Sequence, residues 1–313
     1  MISRKRAGEI TEKFKSRKVL VVGDLMVDRY VAGTVNRISP EAPVPVVHVT
    51  EEKILPGGAA NVALNIRSLG GKASVAGILG KDDTALELEK ILKARGITTD
   101  GVVKGEGIRT TVKTRVLAGR QQVVRFDRED SVEDLKSVIK KFARKLKETG
   151  NTLSGVIIED YGKGAITQEV VDAVIGMSRK LEIPVGLDPK ENYSLDVKGI
   201  TVATPNYLEA RSAAGTGGMW PADEPKSRKE LNMIADILLE KWGVELLVIT
   251  LGSRGMLLAP KKGKREEIPT KARDVFDVSG AGDTVIAAMM LGLVSGADYR
   301  EAVSLANYAA GVV

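Results

Sequence analysis

The sequence contains no cysteine, which excludes a disulfide framework, thiolate metal sites and cysteine nucleophiles. The single histidine, His48, lies in an alternating, strand-like run and cannot form a histidine cluster, so a structural role is the favoured interpretation. Aromatic residues make up only 4% of the chain. A core must therefore be built from Val, Ile, Leu, Ala and Met, as is common in parallel sheets flanked by helices.

Long apolar runs are also missing from this sequence. No run approaches the roughly 20 residues needed to span a bilayer, and the basic N-terminus leads into no signal-peptide core. We therefore expect a soluble, cytoplasmic protein with no membrane partner.

Excess charge of one sign is small. The chain has 47 Lys and Arg against 41 Asp and Glu, a formal net charge of +6 at pH 7. This balance favours anionic ligands. The basic residues are interleaved with acidic ones, and the densest basic run, KKGKR at 261–265, has no stacking aromatics. Nucleic-acid binding is therefore not expected.

Short β-branched runs alternate with longer helix-period segments, which predicts parallel strands linked by crossover helices in an α/β fold. KVLVVGD (18–24) and GVIIED (155–160) are predicted strands, and TQEVVDAVIGMSRKLEI (167–183) is a predicted helix. Polar residues or glycine follow the strands, at Asp24, Asp160, Asp188, Asn206, Thr250 and Gly252. Because open α/β sheets bind ligands at the carboxyl ends of parallel strands, we expect these positions to meet at one cleft.

Two segments interrupt the alternation of strands and helices. IRTTVKTRVLAGRQQVVRFD (108–127) has two β-rich runs around a turn-like AGRQ, which predicts an antiparallel hairpin. RYVAGTVNRISPEAPVPVVHV (29–49) contains three prolines that suit an edge or irregular strand. We expect the regions 29–50 and 108–127 to form a small β-sheet on a single domain spanning 1–313, available as a lid or as a homodimer surface.

The run DVSGAGDT (277–284) opens a helix of small residues and couples an anion-binding turn to a carboxylate. The backbone N–H groups of Gly280, Ala281 and Gly282 can converge on one anion where the helix dipole is positive. Asp283 lies beside that anion and could take a proton from an attacking hydroxyl in phosphoryl transfer. A glycine turn before an acidic first-turn residue is also a common stabilising helix start, so the motif alone leaves both interpretations open.

PGGAAN (56–61) is a second glycine-rich turn before a helix. Gly57, Gly58 and Asn61 suit close approach by a polyhydroxyl ligand, with a plain glycine-rich helix start as the alternative. The first strand ends in GDLMVD rather than G-x-G-x-x-G, which disfavours a dinucleotide dehydrogenase. No G-x-x-x-x-G-K-[ST] occurs, which excludes a P-loop.

In order along the chain, these segments resemble the ribokinase-like (PfkB) carbohydrate kinases. PGGAANVALNIRSLGGKASVAGILG (56–80) looks like the N-terminal signature of that family, and DVSGAGDTVIAAMM (277–290) looks like the C-terminal one. TPNYLEA (204–210) carries the Asn-x-x-Glu spacing that the family associates with magnesium and phosphate. The resemblance spans essentially the whole chain and implies a three-layer α/β/α sandwich with a mostly parallel central sheet and a small β-sheet lid.

A narrower resemblance is to the kinase domains of the heptose-7-phosphate kinase/ADP-heptose synthase group. It rests on four segments, GDLMVDRYVAGTVNRISPEAPVPVV (23–47), GRQQVVRFDRE (119–129), EDYGKG (159–164) and LDPK (187–190). It implies ATP-dependent phosphorylation of the anomeric hydroxyl of D-glycero-D-manno-heptose 7-phosphate, on the way to ADP-heptose for surface polysaccharide. Many members carry an adenylyltransferase domain as well, and we do not expect one within these 313 residues.

The resemblance implies roles at the matching positions. Asp283 would be the general base, beside an anion hole of Gly280, Ala281 and Gly282. The sugar hydroxyls would contact Asp28, Gly57, Gly58, Asn61 and Asp160, although an ion pair with the adjacent Arg29 is the alternative for Asp28. The ATP site would comprise Asn206, Tyr207, Leu208, Glu209, Thr250, Gly252, Gly255 and Asn307. Mg²⁺ would be held by Glu209 and Asn206 through water.

A phosphate on the sugar would need cations, for which the candidates are Arg37, Arg125 and Lys190. A solvated surface charge is the alternative for each of them. At the level of function, two alternatives remain open. One is another PfkB-family kinase acting on a sugar, a sugar phosphate or a nucleoside, and the other is a non-catalytic nucleotide-binding module on the same fold.

Overall fold

A nine-stranded sheet forms the centre of the computed structural model, which describes residues 2–148, 152–191, 194–216, 225, 227–270 and 280–311. Strands are numbered by their position in the chain, and this sheet contains β1 (Lys18–Gly23), β4 (Lys72–Gly80), β5 (Thr98–Gly105), β8 (Gly155–Glu159), β9 (Val185–Asp188), β10 (Val202–Ala203), β11 (Leu246–Thr250), β12 (Met256–Pro260) and β13 (Glu266–Ile268). Their spatial order is β13-β12-β11-β10-β9-β8-β1-β4-β5. Pairing is parallel from β11 to β5, whereas β12 and β13 are antiparallel additions at one edge.

Helices cover both faces of this sheet. They are α1 (Arg4–Thr11), α2 (Ala59–Ser68), α3 (Asp83–Ala94), α4 (Val132–Lys147), α5 (Gln168–Leu181), α6 (Tyr207–Ala213), α7 (Arg228–Trp242), α8 (Ala281–Val294) and α9 (Tyr299–Ala310). Helices α4 to α7 build one apolar layer, which includes Phe142 and Trp242. The other five build the opposite layer, which includes Leu88 and Met289. The predicted three-layer α/β/α sandwich is confirmed.

Helix α8 is apolar on all sides and is therefore buried, as such a helix must be. It packs between α2 and α9 and against the central strands. Its N-cap is Gly280, whose φ of 85° is left-handed and favours glycine. Residues 277–279 of the DVSGAGDT run lie outside the described residues. Among the helices that are described, none has the length and apolar character needed to cross a bilayer.

A separate four-stranded sheet is formed by β2 (Leu25–Ile38), β3 (Pro45–Gly58), β6 (Thr111–Ala118) and β7 (Gln121–Arg128), in the order β3-β2-β6-β7. The predicted hairpin of 108–127 is the antiparallel pair β6 and β7, and β2 pairs with β3 in the same manner. The inner pair, β2 and β6, is parallel. Pro45 begins edge strand β3, where a missing N–H is tolerated. We call this unit the small sheet.

The two sheets meet at the near ends of β2 and β3. Strand β1 is followed by Asp24 and then directly by β2, while β3 runs without a break into α2. The near ends of β2 and β3 therefore lie at the carboxyl end of β1. The far ends of both strands extend away from the core and are exposed at residues such as Ile38 of β2 and Val49 of β3.

Candidate active site

Three carboxylates meet at the carboxyl ends of β8 and β9. Glu159 ends β8, Asp188 ends β9, and Asp283 lies in the first turn of α8. One oxygen from each lies within 4.8 Å of the other two. Burial, followed by the negative charge of neighbouring carboxylates, raises the pKa of Glu159 and of Asp188 well above their ordinary values. This cluster therefore concentrates negative charge that requires protons or a cation to balance it.

The carboxylate of Asp283 is held by two donors from different elements. The Asn61 side-chain amide of α2 donates to its Oδ2 at 2.6 Å, and the Tyr161 hydroxyl donates to its Oδ1 at 2.9 Å. Burial raises the pKa of Asp283, and these two hydrogen bonds oppose that rise. A Cβ on Gly280 would lie 3.2 Å from Asn61 Nδ2, so the glycine leaves room for this amide. A buried, oriented carboxylate with a raised pKa suits a general base.

Asp28 projects from β2 into the same site. Its carboxylate forms an ion pair with Arg115 of β6, and its charge contributes to the raised pKa of Asp283. The alternative partner considered from sequence, Arg29, does not take this role, because neighbouring residues of a strand point to opposite faces. A Cβ on Gly57 would lie 2.5 Å from Asp28 Oδ2, so only glycine allows this close approach. The carboxylate thus borders the glycine turn that begins α2.

Asp24 organises the loop that carries Tyr161. Its carboxylate accepts the backbone N–H groups of Tyr161, Lys163 and Ala165 at 2.9, 3.0 and 3.0 Å. The residue is only 3% exposed, and burial raises the pKa of its carboxyl despite these bonds. Sequence analysis identified Asp24 only as a polar residue at a strand end. In the structure it fixes the backbone from which Tyr161 reaches Asp283.

Asp160 lies beside the three-carboxylate cluster rather than within it. Its Oδ1 accepts the Gly162 N–H at 2.7 Å, and burial together with the charge of Asp24 raises the pKa of Asp160 to about 6. Because side chains alternate along a strand, its neighbour Glu159 is the residue in register with Asp188. Sequence analysis missed Glu159. Alternation along β8 shows only that Glu159 and Asp160 point in opposite directions, and the register with β9 decides which of them meets Asp188.

Asn206 and Glu209 form a reciprocal cap at the start of α6. The Glu209 N–H donates to Asn206 Oδ1 at 2.9 Å, and the Asn206 N–H donates to Glu209 Oε2 at 2.9 Å. This is a capping box, which shares the spacing of the motif expected to bind magnesium. Burial raises the pKa of Glu209, and the charge of Glu209 in turn raises the pKa of Asp188. Thr250 pairs with Asn206 in a parallel bridge, so the expected ATP residues Thr250 and Asn206 are adjacent.

Two other expected ATP residues have their side chains engaged elsewhere. Tyr207 is buried and its hydroxyl donates to Glu230 of α7 at 3.0 Å. The Asn307 amide is buried and donates to the Pro269 carbonyl at 2.7 Å. Leu208 is half-buried in α6. Gly252 and Gly255 have positive φ values of 56° and 94°, and a Cβ on Gly255 would collide with the Ile268 carbonyl. Both glycines are needed for the turn between β11 and β12.

The three candidates for binding a substrate phosphate are not brought together. Arg37 lies beyond two irregularities of β2 and is exposed. Arg125 lies on β7, where its Nε is 3.2 Å from Asp127 Oδ1. Lys190 packs near Gly162, and its charge lowers the pKa of Asp160 and Asp188 against the larger effect of burial. Lys190 therefore belongs with the acidic cluster, whereas Arg125 belongs with the small sheet.

Comparison with known proteins gives a consistent result. The model of a "pfkB family carbohydrate kinase" matches residues 16–313. A protein named Bifunctional protein HldE from Geobacter sulfurreducens is 42% identical over 293 residues, which cover 94% of this chain and 58% of that relative. The chain spans about three fifths of the length of the curated relatives it matches.

Solved structures show the same fold at lower identity. Ribokinase from Arabidopsis thaliana, solved with ribose and ATP, superposes with a TM-score of 0.71 at 21% identity, covering 94% of this chain and 91% of that one. The tetrameric inhibited form of phosphofructokinase-2 from Escherichia coli gives 0.73 at 19% identity, covering 95% and 93%.

The glycine turn at Gly57, the oriented Asp283 and the central sheet agree with the family match over residues 16–313. The chain therefore belongs to the pfkB family of carbohydrate kinases and is a phosphotransferase that acts on a sugar hydroxyl.

Proposed function

We propose that this kinase uses ATP to phosphorylate the anomeric (C1) hydroxyl of D-glycero-D-manno-heptose 7-phosphate, giving the 1,7-bisphosphate in ADP-heptose biosynthesis. The observation that carries the catalytic part is the Asp283 carboxylate held between Asn61 and Tyr161. The heptose substrate is supported by the four segments that resemble the heptose kinase group and by the match to Bifunctional protein HldE. We also propose a cytoplasmic location, where ATP would be supplied.

In the proposed mechanism, Asp283 accepts the proton of the C1 hydroxyl while the hydroxyl oxygen attacks the γ-phosphorus. A new P–O bond forms, the bond to the β-phosphate oxygen breaks, and ADP leaves. General base assistance of this kind contributes roughly 10²–10⁴-fold. The backbone N–H groups at Gly280, Ala281 and Gly282 face the transferred group, and one such donor is typically worth about 10²–10³-fold. Asp28, Gly57, Gly58 and Asp160 border the space proposed for the sugar.

The acidic cluster fits a divalent cation. Glu159 is 1% exposed, and its Oε2 has no hydrogen-bond partner among the described residues. Mg²⁺ prefers hard carboxylate oxygens and retains several waters. We propose that Glu159 and Asp188 hold the ion, with Glu209 and Asn206 contacting its hydration shell. When bound, the ion neutralises charge on the ATP phosphates. Glu209 gives one oxygen to the helix cap and keeps the other for water.

The ATP site is proposed to lie along the carboxyl ends of β10 and β11, where Asn206 and Thr250 are adjacent. Gly252 and Gly255 shape the following turn, and Leu208 and Tyr207 begin α6. Since the side chains of Tyr207 and Asn307 are already bonded to other residues, their contribution would come through packing.

A kinase assay with ADP release as the readout tests the substrate. The wild-type protein is offered heptose 7-phosphate, fructose 6-phosphate and ribose at matched concentrations, and the expected result is the highest kcat/KM with heptose 7-phosphate. Preference for ribose or fructose 6-phosphate would identify a different member of the family. Thermal stabilisation by ATP and Mg²⁺ without any ADP release would indicate a nucleotide-binding module instead. Ligand at 100 times its Kd adds about 2.7 kcal/mol of stability.

We also propose that residues 1–313 form one kinase domain whose small sheet is a lid and a homodimer surface. Val31, Val116 and Val124 lie in register across β2, β6 and β7, and Phe126 on the same face is 56% exposed. Such an apolar sheet face with open edges favours association. Light scattering should show a dimer, and Phe126→Glu should shift it to monomer. A wild-type protein that remains monomeric at all concentrations contradicts this assembly.

A further inference from the structure

The polar face of the small sheet carries basic side chains beside the proposed sugar site. Lys113 of β6 lies directly opposite Asp28 of β2 and directly opposite Asp127 of β7. Arg115 lies opposite Arg125 on the same two strands. Residues in register share one side of a sheet, so all five side chains face the same way as Asp28. Sequence analysis named only Arg125 and Asp28 among them.

The basic groups on this face differ in how well they are neutralised. Arg115 is paired with Asp28, and Lys163 Nζ lies 2.6 Å from Glu129 Oε2. Lys113 has one ion pair within the described part of the chain, a loose one at 3.8 Å to Asp127. Asp127 is shared with Arg125, whose Nε is closer to it at 3.2 Å. Lys113 is thus the least neutralised cation of the group.

Lys113 is also largely removed from water. Its side chain is 15% exposed. Burial lowers the pKa of Lys113, and the positive charges of Lys163 and Arg125 lower it further, against the opposite effects of Asp127 and Glu129. A largely buried ammonium that is close to two other cations and has only a loose ion pair is stabilised by an added anion. Lys113, Lys163 and Arg125 therefore form a site that favours binding of a dianionic group.

The position of this group relative to Asp283 fits a phosphorylated sugar. Asp28 is close enough to Asp283 to affect its pKa, and Lys113 lies one strand further out, about 4.8 Å beyond Asp28. Lys163 belongs to the loop whose backbone N–H groups bind Asp24 and which carries Tyr161. A sugar with its reacting hydroxyl at Asp283 and ring hydroxyls at Asp28 would place its far end over β6.

We infer that Lys113, Lys163 and Arg125 bind the phosphate at the non-reacting end of the substrate, and that they set the preference for a phosphorylated sugar. This inference rests on the proposed function. Lys supplies a point charge and Arg a planar fork for phosphate oxygens. Of the sequence-based candidates, Arg125 belongs to this subsite, whereas Arg37 and Lys190 lie outside it.

The test compares phosphorylated and unphosphorylated forms of the same sugar in the Lys113→Met variant. A hydrogen bond to a charged group is typically worth enough to change binding by roughly 10- to 100-fold. We expect the KM for heptose 7-phosphate to rise by that factor, with the KM for ATP and for unphosphorylated heptose little changed. Lys113→Arg should restore most of the preference. The matched control is Lys104→Met, which removes a half-buried, ion-paired lysine of β5 outside the site.

Arg125→Ala is a second variant, and it should fold normally because the Arg125 side chain is 50% exposed. It should raise the KM for the sugar phosphate more than the KM for ATP. Thermal stabilisation by heptose 7-phosphate alone gives a readout that does not depend on turnover, and it should weaken in both variants. An equal rise in KM for both sugar forms would overturn the inference while leaving the proposed function intact. A wild-type enzyme that phosphorylates only unphosphorylated sugars would overturn both.

Discussion

Replacing Asp283 with asparagine should separate catalysis from stability. The wild-type carboxylate accepts one hydrogen bond from Asn61 and one from Tyr161. The substituted amide has one acceptor oxygen and two N–H donors, and either partner can adjust, since the Asn61 amide can flip and the Tyr161 oxygen can accept. The site can therefore remain fully hydrogen-bonded. Asp283→Asn should fold as the wild-type protein does.

The expected loss of activity is large because the amide cannot accept the proton of the attacking hydroxyl. General base catalysis is worth roughly 10²–10⁴-fold, so kcat should fall by that factor with small changes in either KM. Coupled ADP release measures kcat at saturating sugar phosphate and ATP. Activity within tenfold of the wild-type value would refute the assignment of Asp283 as the base.

The free energy of unfolding should not fall together with kcat in Asp283→Asn. Burial raises the pKa of Asp283 in the folded state, so its contribution to stability is present in acid and is lost as the pH rises through the folded pKa. An uncharged side chain avoids that loss and also relieves repulsion from Glu159 and Asp188. In urea unfolding with EDTA, Asp283→Asn should be at least as stable as wild type at pH 8, and its advantage should shrink toward pH 4. A variant less stable than wild type at pH 8 would refute this reasoning.

Asp82→Asn is a control for which stability is expected to depend on pH in the opposite sense. Asp82 accepts the Thr110 N–H at 2.7 Å and the Ala85 N–H at 2.8 Å at the start of α3. Burial acts to raise the pKa of Asp82, but the bonds from Thr110 and Ala85 outweigh it and lower the pKa. Its stabilisation is therefore present at neutral pH and lost in acid. The variant should lose stability at pH 7, lose less at pH 3, and retain kcat.

Three further predictions concern the surroundings of Asp283. Asp24→Asn places an amide donor against one of three backbone N–H donors, so urea unfolding should show that the free energy of unfolding falls by about 1–3 kcal/mol. An unchanged unfolding midpoint would count against the role of Asp24 in holding this loop. Gly57→Ala puts a Cβ 2.5 Å from Asp28 Oδ2, so steady-state kinetics should show a larger rise in KM for the sugar than for ATP. Mg²⁺ should raise the Tm of the wild-type protein in a thermal shift assay, and Glu159→Gln should reduce that rise if the buried carboxylate holds the ion.

The sequence predicts the layers of this fold well because its signals are local. Strand GVIIED and helix TQEVVDAVIGMSRKLEI occur close to their expected limits, and the hairpin around AGRQ is present. Helix α4 was not among the predicted helices, although Leu135, Val138 and Phe142 follow a helical period after a capping box.

The arrangement of the site depends on strand register and on contacts between distant segments, which a single sequence does not reveal. Asp160 and Glu159 are neighbours, and only the register of β8 with β1 and β9 decides which carboxylate faces Asp188. Lys113 has no local signal either, since its surroundings come from β2, β7 and the loop at Lys163. Asn206 and Glu209 show a second reason why sequence does not predict a site. Their Asn-x-x-Glu spacing suits both a helix cap and a ligand-binding motif.

Strand β2 extends without interruption in sequence from the proposed active site to the periphery of the molecule. From Asp28 to Val35 it covers eight residues, which span roughly 23 Å. One end borders the proposed sugar site and the other lies on the face proposed to meet a second copy. Any ligand that shifts this strand at one end changes the free energy of association at the other, and the coupling is reciprocal. Affinity for the sugar should then change with protein concentration, and saturating sugar should change the affinity of the dimer by the same factor.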